Sequence, residues 1–260
     1  MNFKPHTAVV QYQRYGILFF MQPKVRFQLN KELDKKMALE FVSFHRGGID
    51  FAKNIIALHP LLKILTKLNQ GQKRKVINDY FDIYYQQHRE ILQKCVTAFN
   101  YEWRRVEKAF LREAAKIFHH YPFPKGKYLG YLSIINCNPR FLSNKTFQIY
   151  YRHPQGVVYV TMHELLHFIF YDYAIQQHPQ IFKKLDPENG IFWDLSEIFN
   201  DVILSLPPFK KLHKQQKIIC YPEHQQYFQK FQKLWQQTND IDQWLVEGLE
   251  ILKESFCEIH

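Results

Sequence analysis

The 260-residue sequence predicts an α+β fold. Three observations carry that expectation. Apolar residues recur at spacings of three and four from Lys31 to about His119, the period of amphipathic helices. Tyr121-Pro-Phe-Pro-Lys-Gly126 then places two prolines and a glycine in six residues, which ends a helix. Two β-rich runs follow before the helical texture returns. Glycine is only 9 of 260, too few for an all-β fold built on tight turns or for glycine-rich phosphate loops. The 46% hydrophobic and 23% charged content is an ordinary globular mix, which excludes disorder and fibrous repeats. The chain is long enough to bury a core without staples.

Residues 9–12 and 17–29 read as short strands, the second broken at Pro23. Residues 34–44, 50–68 and 73–118 read as helices. In the last, Trp103, Val106, Phe110 and Ile117 fall along one stripe. That run is too long for one ordinary helix, so a break is expected near residues 99–101. The chain thus divides into a mostly helical region, 1–124, and a second region, 125–260. In the second, residues 128–137 and 146–152 read as strands, with Asn138-Pro139 and Ser143-Asn144 as turn residues. A helix is expected over 157–174. Val157, Val158 and Val160 have poor helix propensity, which burial overrides. Pro179 and Pro187-Glu-Asn-Gly190 mark a loop, and a helix over 192–206 stops at Pro207-Pro208. Two amphipathic helices close the chain, over 223–237 and 239–256. Thr238, Asn239 and Asp240 are all suitable caps for the second.

Net charge is 35 − 24 = +11. The densest cluster is Lys210, Lys211, Lys214 and Lys217, read as a solvated face, because no nucleic-acid recognition motif accompanies it. Cys95, Cys137, Cys220 and Cys257 are scattered, with no CxxC spacing, which fits buried thiols in a reducing compartment. The stretch 16–21 is too short for a signal sequence or a membrane span. A cytoplasmic protein without membrane partners is expected, and nucleic acid is not an expected ligand.

The chemistry concentrates in Thr161-Met-His-Glu-Leu-Leu-His167. Four residues advance an α-helix by about 400°, so His163 and His167 lie one above the other. Two imidazoles so placed suit one tetrahedral Zn²⁺. Glu164 follows the first imidazole and reaches water beside the metal without ligating it, the geometry of a general base. The flanks are apolar, from Val157 to Phe170. Two histidines and a glutamate in a buried helix are expensive unless paired or metal-bound.

A catalytic zinc needs a third protein ligand and an open position. Tyr173 and Phe170 stand where a His six residues past His167 and its accompanying Gly would be, which excludes that pattern. His178, before Pro179, is one candidate. The other is Glu197, thirty residues past His167 in an apolar helical run, with Asp201 one turn on and on the same face. Glu197 would complete a His₂Glu site, and Asp201 would accept the far N–H of His163, fixing its tautomer.

His163-Glu164-Leu-Leu-His167 followed by Glu197-x-x-x-Asp201 resembles the gluzincin, or thermolysin-like, zinc metallopeptidases. The resemblance covers about residues 125–205. It implies a zincin-like core, in which a small mixed sheet precedes an active-site helix and a ligand helix. It also implies peptide hydrolysis with Zn²⁺ as cofactor and a peptide or protein as substrate. The family's edge strand, which binds substrate backbone, matches residues 146–152 by position. The family uses a Tyr or His to stabilise the oxyanion, for which Tyr221, His224 and His213 are candidates. Residues 1–120 match nothing in the family. Two other classes compete: a non-catalytic scaffold of the same fold, and a basic helical nucleic-acid-associated protein with a chance HExxH.

Overall fold

The structure is a computed structural model that describes residues 23–257. The strand expected over 9–12, and the start of that over 17–29, lie outside the described residues. The end of the latter forms β1 (Arg26–Leu29). Asn30 caps α1 (Lys31–Phe41) by accepting from the Leu33 N–H. A hairpin of β2 (His45–Arg46) and β3 (Ile49–Asp50) follows. Its turn residues Gly47 and Gly48 both have positive φ, the two-residue turn that matches strand twist. Asp50 then caps α2 (Phe51–Leu58), and a 3₁₀ helix runs over Pro60–Lys67.

An Asn69/Gln72 capping box opens α3 (Gln70–Gln87), and α4 (Arg89–Ile117) follows after one residue. The helix break therefore falls at His88, and not near residues 99–101 as the sequence suggested. Where α3 stops, the His88 ring stacks on Tyr84 at 4.0 Å, and its Nδ1 lies 2.9 Å from the Tyr84 carbonyl. Residues 99–101 stay helical because they dock α4 onto β1. Asn100 donates to the Phe27 carbonyl (3.0 Å) and accepts from the Phe27 N–H (3.1 Å), closing that sheet edge as a strand would.

The second region begins with β4 (Leu129–Ser133), β5 (Arg140–Phe141) and β6 (Thr146–Tyr150). The sheet order is β1-β4-β6-β5, with β1, β4 and β6 parallel and β5 antiparallel to β6. Gly130 stands in register between Phe27 and Phe147. A Cβ there would lie 2.4 Å from the Phe27 ring, so only glycine lets the two rings meet edge to face. The strand 146–150 is internal, which corrects the expectation of a free edge. β5 pairs along it, and the Gln148 N–H is taken by the Pro139 carbonyl (2.9 Å). The outer edge belongs to β5.

The rest is helical: α5 (Gly156–Gln177), α6 (Pro179–Phe182), α7 (Gly190–Leu204), α8 (Pro207–His213), α9 (Gln225–Thr238) and α10 (Ile241–Cys257). α7 ends at Leu204, just before Pro207-Pro208, as expected, and the prolines then open α8, since proline is tolerated in a first turn. Of the three cap candidates Asp240 is used, accepting from the Gln243 N–H (2.9 Å). α5 is apolar all round and buried along most of its length, packed against β6, α4, α7 and α8. Buried apolar residues form one cluster from Val25 to Leu252, crossing position 124. Among the described residues no helix is long and apolar enough to cross a membrane.

Candidate metal centre

α5 carries four rings at a four-residue spacing: Tyr159, His163, His167 and Tyr171. Neighbouring centroids are 6.4, 4.7 and 5.9 Å apart. α5 packs against α7, and Tyr159 and His163 of the stripe line a cleft of about 250 Å³. Asn200 of α7 donates to the His163 carbonyl (2.8 Å), which sets the two helices in register. Glu197, one turn earlier on α7, thereby meets both imidazoles. The Nε2 atoms of His163 and His167 lie 3.0 Å apart. His163 Nε2 is 3.0 Å from Glu197 Oε2, and His167 Nε2 is 3.3 Å from Glu197 Oε1.

Tetrahedral ligands about 2.0–2.1 Å from zinc stand about 3.3–3.4 Å apart. The observed separations come close to that, and two imidazoles with one carboxylate are a zinc donor set. The residues therefore fit the ion the sequence implies. His178 is not part of the group. Eleven residues carry it about 16 Å along the helix axis from His167, and its ring is held by Asp242 at 2.7 Å. A second group of His119, Asp240 and Asp242 lies towards the surface, where α4 ends and α10 begins.

Burial raises the Glu197 carboxyl, but His167, Arg140 and the hydrogen bond from His163 outweigh it and hold the group well below the carboxylate range. Burial and the nearby guanidinium push His167 down to about 3, so it is neutral, as a ligand must be. Glu164 is buried at the cleft wall, and its Oε2 has no partner. Burial pushes its pKa up to about 7, where a carboxyl both accepts and returns a proton near neutral pH.

Asp201 shares the cleft, and burial lifts its pKa to about 7. The expected hydrogen bond to His163 is absent, since His163 Nδ1 has no partner. One turn of α7 carries Asp201 about 6 Å along the axis from Glu197, and there it takes the Cys220 thiol. Tyr221 lines the cleft. Its ring packs on Trp193 (5.2 Å) and against Gly47 of the hairpin, and burial raises its hydroxyl, which stays protonated. His224 does not line the cleft. Its Nε2 pairs with Asp194 at 2.8 Å, and its ring supports Tyr221. His213 is likewise structural, held on the Leu204 carbonyl (2.9 Å) and against Tyr159.

Two site residues escaped the sequence analysis. Tyr171 continues the four-residue stripe, and that spacing was the available signal. Arg140 gave none, standing alone at a short strand edge. Its Nη1 donates to Glu197 Oε1 (2.9 Å) and lies 3.4 Å from His167 Nε2, while Nη2 donates to Tyr171 (3.0 Å). The Tyr171 hydroxyl also pairs with Ser196. The helical region contributes a wall of the cleft through Ile49, Phe51 and Asn54. Comparison of the chain with protein-family models, with curated proteins and with solved structures finds no match.

Proposed function

We propose that the protein is a zinc-dependent peptidase with a zincin-like core formed by the sheet, α5 and α7. The observation that carries this is the convergence of His163 Nε2, His167 Nε2 and the Glu197 carboxylate within 3.0–3.3 Å, beside a cleft that Glu164 also lines. Zn²⁺ held there by His163, His167 and Glu197 would polarise the scissile carbonyl and lower the pKa of water. Glu164 takes a proton from the attacking water as its oxygen bonds to the carbonyl carbon. It then passes that proton to the amide nitrogen as the C–N bond breaks. Tyr221 donates its hydroxyl to the developing oxyanion. Arg140 keeps Glu197 ionised. The substrate chain lies in the cleft beside residues 136–140, which lead into the edge strand β5, and not beside residues 146–152.

Metal analysis with two variants tests the proposal. Purified wild type is expected to hold one zinc per chain, and His163→Ala none. Glu164→Gln is expected to keep zinc while cleavage of a peptide library falls at least about 10²-fold, the contribution typical of a general base. Zinc-free wild type, or Glu164→Gln with undiminished cleavage, overturns it.

One observation favours a second reading, a non-catalytic scaffold. The Arg140 guanidinium already neutralises the Glu197 carboxylate. In that case Arg140→Ala leaves a buried charge unpaired and destabilises by about 3–5 kcal/mol, with or without zinc. In the peptidase, zinc restores a large part of that loss. Thermal melts of Arg140→Ala with and without zinc separate the two.

A further inference from the structure

We propose that the surface formed by residues 58–75 docks the protein on an anionic lipid bilayer. The 3₁₀ helix Pro60–Lys67 has three residues per turn, so side chains three apart share a row. Leu62 and Leu65 form the inner row and are fully buried. The outer rows are Leu61, Ile64 and Lys67 on one side and Pro60, Lys63 and Thr66 on the other. Leu61 is 78% exposed and Ile64 51%, and Leu58, just before them, is 40% exposed. These three aliphatic side chains are exposed within seven residues of chain.

The same stretch of chain is rich in cations. Lys53, Lys63, Lys67, Lys73, Arg74 and Lys75 fall between Asp50 and Asp79, and no Asp or Glu does. Lys53, Lys63, Lys67, Arg74 and Lys75 are exposed. Lys73 reaches only the Ser43 hydroxyl, at 3.5 Å. None of the six is in an ion pair among the described residues, although other lysines on neighbouring α1 are paired.

Charge complementarity selects the occupant. Residues 1–22 carry Lys4 and Arg14 and no acid, so they repel this face, and a second +11 copy repels it too. The occupant is therefore anionic. Single-stranded nucleic acid is bound through stacking on aromatic rings, and a duplex through its phosphates, with no use for exposed aliphatic side chains. Here Phe51 and His59 are the aromatic rings between positions 51 and 78, and both are buried. Exposed aliphatic side chains interspersed with unpaired lysines suit insertion between lipid headgroups, with the lysines on the phosphates.

Vesicle flotation of the full-length protein tests this, with phosphatidylcholine vesicles and vesicles holding 30% phosphatidylserine as probes. The protein is expected to float with the anionic vesicles alone and to be released as salt rises. Lys63→Gln/Lys67→Gln should weaken partitioning about thirtyfold, since each lysine near such a surface is worth about 1 kcal/mol. Leu61→Ser/Ile64→Ser should also weaken it, with an unchanged melting temperature, because both side chains are exposed. Several results overturn the proposal. These are absent flotation, equal flotation on the two vesicle types, and wild-type binding by either double variant. A single-stranded RNA probe that is lost on these substitutions while vesicles stay unbound points to nucleic acid instead. Concentration-dependent dimerisation abolished by Leu61→Ser/Ile64→Ser assigns the face to a second copy.

Discussion

Asp34 is fully buried and ties α1 to three other elements, α3, β4 and β6. Its carboxylate accepts from Ser133, from Tyr85 (2.7 Å), from the Ile134 N–H (2.9 Å) and from Gln148 (2.9 Å). Burial nevertheless pushes its pKa up to about 6, against about 3.9 in an unfolded chain. A folded pKa above the unfolded one means the folded state binds the extra proton. The resulting stabilisation is complete below about pH 4 and is lost as pH rises through 6. The difference of about two pH units corresponds to about 3 kcal/mol. In Asp34→Asn that slope should vanish. The variant should fold well, because Gln148 Oε1 has no partner and a flipped amide would accept from the new side-chain N–H. Urea unfolding of both proteins at pH 4 and pH 7 checks this. Parallel slopes would show that Asp34 ionises as easily in the folded chain as in the unfolded one. At the same scale, His163, Glu164, His167 and Glu197 were legible because each stands at a helical spacing from another group. Arg140 was not, because its partners are 27, 31 and 57 residues away and nothing local marks the pairing.

Helices announce themselves by period, but a break does not, which is why α3 and α4 divide at His88 and not at residues 99–101. A capping side chain or a ring stacked on the previous turn ends a helix without disturbing the apolar stripe. Strand order is harder still. Residues 146–150 look the same whether they lie at an edge or inside a sheet, and the two-residue β5 that covers them is too short to show a pattern. The sheet itself depends on Gly130. Gly130→Ala puts a methyl group 2.4 Å from the Phe27 ring and 3.2 Å from Phe147. Overpacking of this kind costs about 1–3 kcal/mol, and part of it should return in Gly130→Ala/Phe27→Leu, where the neighbour is smaller. Thermal melts of the single and double variants measure the coupling. Additive effects would mean that the strands move apart rather than the rings colliding.

Across the whole molecule, zinc and folding are linked if the site forms as proposed. An ion that binds only the folded chain adds about 2.7 kcal/mol at a hundred times its Kd. For a protein of this length that is an increase of about 5–10 °C in melting temperature. Calorimetry with and without zinc should show it, a chelator should reverse it, and His163→Ala should abolish it. No shift in wild type would place the three ligands in an Arg140-filled ionic cluster instead.

Residue order was enough to specify the helical stripes, the α+β mixture, the stacked histidines with their adjacent carboxylate, and the second acidic helix. All of these arise from contacts within a few turns of chain, where geometry follows directly from spacing. Folding in three dimensions settled what lies across from them. It put Arg140 on Glu197, turned Asp201 to Cys220 rather than His163, buried His224 beside Asp194, and brought an N-terminal hairpin against Tyr221. Those outcomes depend on the register of α7 on α5 and on which strand occupies the sheet edge. Both are set by packing between segments far apart in the chain.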